Sequence, residues 1–259
     1  MTDKPETLTV AGADIAVRHR PGGNPGLVWL GGYRSDMLGT KAETLDALAG
    51  ELGLSYTRHD YSGHGESGGA FTDGTISKWL AESIAVFERY TSGPQILVGS
   101  SMGGWIALRM VQELNKGGAD NRIAGLVLLA PAPDFTHELM KPDLSEAQKA
   151  DLETKGYFEE PSEYSPEPNI FTRAFFDDGD ENRVMTAPID TFCPVHILQG
   201  MADPDVPYTH AQKLMEFLPK DDVTLTLIKD GDHRLSRPQD LELLERTVGA
   251  MAERVRAGD

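Results

Sequence analysis

The sequence predicts an α/β protein built on a mostly parallel sheet with helices on both faces. Three observations predict it. Short apolar runs recur along the chain, stretches with apolar residues at helical spacing lie between them, and each run meets a Gly, Pro or Asp within two residues. The length of 259 residues, with 39% hydrophobic and 25% charged residues, is enough for a large core and is ordinary globular composition.

The elements follow in order. Residues 8–10 and 15–17 form an antiparallel hairpin around a turn at 11–14, and the Gly/Pro-rich stretch 21–26 reads as a break. Residues 27–30 are the first buried strand, followed by a helical stripe of Leu45, Leu48 and Leu52 and a weaker strand at 55–58. A second stripe (Ile76, Leu80, Ile84, Phe87) leads to a strand at 95–98, and a third (Trp105, Leu108, Val111) to one at 126–129. Two further buried strands are expected at 195–198 and 223–228, and Leu241, Leu244, Val248 and Met251 mark the closing helix.

The rhythm breaks between Pro131 and Pro194. This stretch is acidic, proline-punctuated and interspersed with aromatics such as Phe158, Phe171 and Phe175, without a good strand, and is too long for a simple connection. Residues 134–192 are expected to be a mostly helical cap over the carboxyl edge of the sheet, inserted in a single domain spanning 1–259. Its apolar side chains either line a pocket or pack the cap onto the sheet. In such sheets ligands bind beyond the carboxyl ends of the strands, so function is sought there.

Directly after the run ending at Val98 stands Gly99-Ser100-Ser101-Met102-Gly103, followed by a helical stripe. This is G-x-S-x-G between a strand and a helix, the context the motif requires. Small residues two before and two after a serine let the backbone turn sharply and push the hydroxyl outward at a helix N-terminus. Ser100 is a poor rival, because Val98 and Met102 would then stand where glycines belong.

A serine hydroxyl needs a base, and the base an orienting carboxylate. His233 lies in a Gly-containing loop between the last strand and the last helix. His59 and His64, in Asp60-Tyr-Ser-Gly-His64-Gly-Glu-Ser-Gly, are its competitors but precede the serine in the chain. His19, His137 and His210 read as surface residues, and His196 alternates within a strand. Asp203, a short turn beyond the 195–198 strand, is the expected acid, with Asp205 and Asp134 as rivals. The backbone N–H groups of Tyr33, in the Gly31-Gly32-Tyr33 loop, and of Met102 are the expected oxyanion donors.

Composition narrows the partners. With 24 Lys and Arg against 41 Asp and Glu, the net charge is −17, which repels phosphate backbones and anionic headgroups and excludes nucleic acid. No run approaches the ~18 apolar residues of a membrane span, so no membrane insertion is expected. One cysteine, Cys193, can make neither an internal disulfide nor a thiolate zinc site; it reads as a packing residue in a reducing cytoplasm. Neither Gly-rich loop carries a phosphate-binding fingerprint, and no cofactor or metal is expected.

Gly32-Tyr33 with Gly39-Thr-Lys-Ala42, Asp60-Tyr-Ser-Gly63, Gly93-Pro-Gln-Ile-Leu-Val-Gly-Ser-Ser101, Gly103-Gly-Trp105, Gly200-Met201 with Val206-Pro207, and Asp232-His-Arg234 carry a more specific likeness. Through them the chain resembles the α/β-hydrolases, and within these the mitochondrial acyl-glucuronide esterase and palmitoyl-protein thioesterase branch. The resemblance implies an eight-stranded α/β-hydrolase sheet, Ser101 as nucleophile, Asp203 as acid and His233 as base. It also implies a carboxylesterase or thioesterase acting on a small ester or an acylated protein. No transit peptide is expected and the cap is richer in acid and proline, so a monomeric, cytoplasmic, bacterial-type relative is expected. A serine peptidase of the same fold, and a non-catalytic receptor on the same scaffold, are the alternatives.

Overall fold

Residues 4–117, 122–161, 168–220 and 222–258 are described by the computed structural model. In chain order the elements are β1 (Glu6–Val10), β2 (Ala13–Arg20), β3 (Gly23–Leu30), α1 (Thr40–Leu52), β4 (Leu54–His59), α2 (Ile76–Tyr90), β5 (Gln95–Ser100), α3 (Met102–Leu114) and β6 (Ile123–Leu129). The chain continues through α4 (Glu146–Thr154), β7 (Tyr157–Glu160), β8 (Asn169–Thr172), α5 (Arg173–Glu181), β9 (Val195–Gly200), α6 (Tyr208–Glu216), β10 (Val223–Ile228) and α7 (Pro238–Ala257).

Eight strands form one sheet in the order β1-β2-β4-β3-β5-β6-β9-β10. The β1–β2 and β2–β4 pairs are antiparallel, and every pair from β4 to β10 is parallel. Strand alternation builds two core layers. Val28, Leu30, Leu97, Leu126, Leu128 and Ile197 face α2, α3 and α6, where Trp79, Trp105 and Leu214 pack. Their neighbours Leu27, Trp29, Ile96, Val98, Val127 and Leu198 face α1 and α7, meeting Leu45, Leu244 and Val248. The central strands are buried on both faces, hence their continuous apolar runs.

The secondary-structure elements differ from the sequence expectation in four places. The stretch 21–26 is not a plain break: β3 begins at Gly23, with a register shift against β4 between Gly23 and Leu27. Pro25 has no N–H to give a ladder, so pairing there is irregular but resumes. The strand at 223–228 has no fully buried residue, because β10 is the outermost strand of its side of the sheet. Leu52 ends α1 exposed rather than in its stripe. Finally, the inserted segment, whose regular structure is mostly helical, also holds a short two-stranded ribbon where no good strand is expected.

That segment runs from the end of β6 to β9. It holds a π-helical turn at Thr136–Met140, α4, α5 and a two-stranded antiparallel ribbon, β7–β8. Phe158 and Phe171 are direct cross-strand partners with ring centroids 5.4 Å apart, which stabilises so short a ribbon. Residues 162–167 of the expected cap lie outside the described residues. Capping at Ser145 by a box with Gln148, and at Thr172 by its bond to Phe175 N–H, sets where α4 and α5 begin.

Candidate active site

Ser101 is the one residue between β5 and α3, and its backbone sits at φ 54°, ψ −117°. A positive φ at a residue with a Cβ costs on the order of 1 kcal/mol or more and persists only where neighbours enforce it. They do so here: Ser101 N–H donates to Leu129 O at 2.9 Å, and Ser101 O accepts from Gly104 N–H at 2.9 Å and Ala132 N–H at 3.1 Å. The flanking glycines are required by space. A Cβ on Gly103 would lie 2.0 Å from Leu30 O, and one on Gly99 2.5 Å from Gly103 O. Both contacts are with backbone, which cannot swing aside.

His233 sits in the loop from β10 to α7. That loop is tied to the loop after β9 by the Ala202 N–H bond to Gly231 O at 3.0 Å, and to α1 by Lys41 Nζ, which donates to Arg234 O. The imidazole bridges two side chains: Nε2 is 3.1 Å from Ser101 Oγ and Nδ1 is 2.8 Å from Asp203 Oδ2. Asp203 Oδ1 accepts Asp205 N–H (2.9 Å) and Val206 N–H (2.8 Å), while Gln199 Nε2 donates to Oδ2 at 3.2 Å. Burial works against the Asp203 charge, but the His233 bond and the two backbone N–H groups outweigh it and hold the carboxyl below the usual range. The carboxylate is therefore ionised where a neutral imidazole would need Nδ1–H fixed.

The loop after β3 passes directly beside the serine. A Cβ on Gly32 would be 3.4 Å from Ser101 Cβ and 3.3 Å from Ser100 O. Tyr33 follows, and Met102 supplies the first N–H of α3, a donor without an intrahelical partner at the positive end of the helix dipole. The Tyr33 ring stacks on Phe171 (5.7 Å, 9°) and Phe175 (5.4 Å, 28°) of the inserted segment. Arg34 Nη1 donates to Asn169 Oδ1 at 2.5 Å, so the segment rests on this loop. Phe158, Phe171, Phe175 and Phe176 are buried in the core layer that includes Trp105.

The rival residues other than Asp205 are engaged elsewhere. Asp134 spends both carboxylate oxygens, each at 2.8 Å, on Val184 and Met185 N–H groups. Asp205 is exposed and reaches the group through its backbone N–H. His59 is buried with Nε2 3.2 Å from Ser83 Oγ, and His64 Nε2 accepts Arg34 N–H at 3.1 Å. His210, expected on the surface, is buried: α6 turns its ring inward, 2.8 Å from Pro133 O. Among the described residues, the cluster able to offer three ligand atoms to a metal is Asp203, Asp205 and His233, the same group.

Sequence reasoning missed Gln199 and Lys41. Gln199 is fully buried, and its amide touches Asp203 Oδ2, Gly200 O and Val206 O. Its signal was a polar residue ending the apolar run 195–198. Lys41 stands in the Gly39–Ala42 segment of the family likeness, but its contact carried no local signal, since its partner is 193 residues away.

Comparison with known proteins agrees in fold. Residues 21–243 match the model of a family described as "Alpha/beta hydrolase family". The chain is 31% identical over 243 residues to the mouse palmitoyl-protein thioesterase ABHD10, mitochondrial, covering 93% of this chain and 80% of that protein. Against the solved structure of mouse alpha/beta hydrolase domain-containing protein 10 the TM-score is 0.87 at 28% identity, covering 97% and 99% of the two chains. A crystal structure of an Agrobacterium vitis S4 protein gives a TM-score of 0.91 at 58% identity, covering 96% and 97%. The mouse relative is named mitochondrial; among the described residues of this chain no helix is long and apolar enough to cross a membrane.

Proposed function

The chain belongs to the alpha/beta hydrolase family, and from that premise we propose that it is a serine hydrolase of carboxylic esters or S-acyl thioesters working through an acyl-enzyme. One observation carries the reading: a single imidazole lies within hydrogen-bond reach of both Ser101 Oγ and the buried Asp203 carboxylate.

In the proposed reaction His233 Nε2 takes the Ser101 proton as Oγ attacks the acyl carbonyl carbon. The negative oxygen that forms is held by the N–H groups of Tyr33 and Met102. His233 then gives its proton to the leaving oxygen or sulfur, and the C–O or C–S bond breaks. Water enters, loses a proton to His233 and attacks the acyl-enzyme; collapse returns the proton to Ser101 Oγ and frees the carboxylic acid. Asp203 stays ionised throughout and fixes the tautomer.

An acyl substrate is favoured by what surrounds the serine. Aromatic side chains of the inserted segment, residues 134–192, which we read as a cap, converge on Tyr33 and suit an apolar acyl chain better than a peptide backbone needing polar partners. The thioesterase name of the mammalian relative points the same way. The test is steady-state hydrolysis of p-nitrophenyl esters from acetyl to palmitoyl, with palmitoyl-CoA and an acyl-glucuronide, beside Ser101→Ala. Turnover that depends on Ser101 is expected; equal turnover by Ser101→Ala, or none on any substrate, overturns the reading.

A further inference from the structure

The Asp60 to Gly69 motif has no part in the reaction above, yet it grips the loop that carries the Tyr33 N–H. Tyr61 Oη donates to Gly31 O at 3.2 Å, and Asp60 Oδ1 accepts Met37 N–H at 2.6 Å. Arg58 Nη1 donates to Met37 O at 2.8 Å. These three bonds hold the ends of residues 31–37. The middle is held by His64, whose Nε2 accepts Arg34 N–H at 3.1 Å.

That middle bond falls where the backbone most needs it. Ser35 N–H donates to Gly32 O at 3.1 Å, closing a turn with Tyr33 and Arg34 at its centre. Arg34 has φ 58°, the positive value that the third residue of a type II turn requires and that glycine normally supplies. An arginine there is disfavoured, and the turn would relax toward a conformer with negative φ unless the peptide between Tyr33 and Arg34 is held. His64 holds it. Its Nδ1 lies 3.2 Å from Ser62 O and donates there, which leaves the Nε2 lone pair free to accept. The ring is 4% exposed and boxed in by Tyr61, Phe71 and Trp79, with centroids 5.5, 5.0 and 5.2 Å away. Burial first, then the Arg34 charge, push its pKa down to about 4, against the Ser62 bond, so the acceptor form is the one present near neutrality.

We propose that His64 is a positioning residue of the oxyanion hole: its neutral imidazole, accepting Arg34 N–H, locks the strained turn that aims the Tyr33 N–H at the reacting oxygen. This rests on the serine-hydrolase reading. His64 touches no reacting atom and acts through the Tyr33–Arg34 peptide. Its loss should therefore weaken transition-state stabilisation and leave ground-state binding alone.

The test compares His64→Gln, His64→Asn and His64→Leu with the parent protein and Ser101→Ala on p-nitrophenyl butyrate, and measures inhibition by an alkyl trifluoromethyl ketone, which forms a tetrahedral adduct. The Gln carbonyl reaches the position of Nε2, whereas the Asn carbonyl stops near Nδ1 and Leu has no acceptor. His64→Leu and His64→Asn are expected to lower kcat about 10- to 100-fold with KM within about twofold, to weaken the ketone by the same factor, and His64→Gln to recover most of the loss. If His64→Leu fails to fold, as judged by its melting curve, the Gln and Asn pair decides. Unchanged kcat in Asn or Leu, a loss confined to KM, or Gln as impaired as Asn overturns the proposal while Ser101 dependence leaves the hydrolase reading standing. Turnover by Ser101→Ala overturns the reading itself.

Discussion

Asp203 Oδ2 and His233 Nδ1 stand 2.8 Å apart at the ends of two neighbouring strands, β9 and β10, the carboxylate fully buried and the imidazole at 22% exposure. The relationship separates Asp203 from Asp134, one of the two rivals that the sequence alone leaves in competition with it. Asp203→Asn keeps the shape but presents an amide where the imidazole N–H needs an acceptor, so kcat/KM should fall about 10³-fold or more in a protein that still folds. Asp134→Asn should show the reverse, because Asp134 anchors Val184 and Met185 rather than His233. Esterase rates and melting curves on both variants check this; activity lost on Asp134→Asn with normal stability would reassign the acid.

The elbow was legible because its chemistry is local: G-x-S-x-G needs only five residues and a strand before it, and Ser101 does sit at positive φ between β5 and α3. His233 and Asp203 were legible through their places after strands that the apolar runs revealed. The ribbon β7–β8 was not, since each strand has four residues and its stability comes from the Phe158–Phe171 pair across the ribbon. The Lys41 bond to Arg234 and the grip of His64 on Arg34 are tertiary contacts between distant segments, for which no periodicity exists, whereas Gln199 reaches Asp203 only four residues on, through the shape of the loop after β9.

Glycine substitutions test the elbow and a helix in opposite directions. Gly103→Ala places a methyl 2.0 Å from Leu30 O and should cost several kcal/mol or prevent folding. Gly249, inside α7, has nothing within 4 Å of its added Cβ. Gly249→Ala should stabilise by about 0.5–1 kcal/mol with unchanged activity. Urea unfolding midpoints read both; a stable, active Gly103→Ala would mean that β3 and α3 lie farther apart than described.

Three buried histidines, His59, His64 and His210, make stability fall on acidification. Burial lowers both His59 and His64 to about 4, from the 6.5 of an unfolded chain. Between those values the unfolded state holds more protons, so unfolding free energy drops as pH falls, by at most about 1.4 kcal/mol per pH unit for each histidine, and the drop ends below about 4. Asp60, Glu82 and Asp134 act oppositely, because burial raises their carboxyls and the folded state takes up protons first. Comparing His64→Gln with the parent protein isolates one contribution: between pH 7 and pH 5 the variant should lose about 2 kcal/mol less in urea unfolding. Identical pH dependence would mean that His64 is not the neutral, desolvated group described.

Phe171 links acyl preference to stability. Its ring pairs with Phe158 across the ribbon and stacks on Tyr33, the residue after Gly32, which lies beside Ser101. Phe171→Ala removes both contacts from a side chain that is 7% exposed, and a loss of about 3–5 kcal/mol is typical of a phenylalanine so placed. Under the proposed function the consequence is graded by chain length: an acetyl group ends near the serine, whereas a palmitoyl chain must run along these rings. The variant should therefore raise KM for palmitoyl-CoA more than for p-nitrophenyl acetate, at a temperature well below its melting point. A uniform change in both substrates would place the acyl path elsewhere and leave Phe171 the single task of seating the inserted segment on Tyr33.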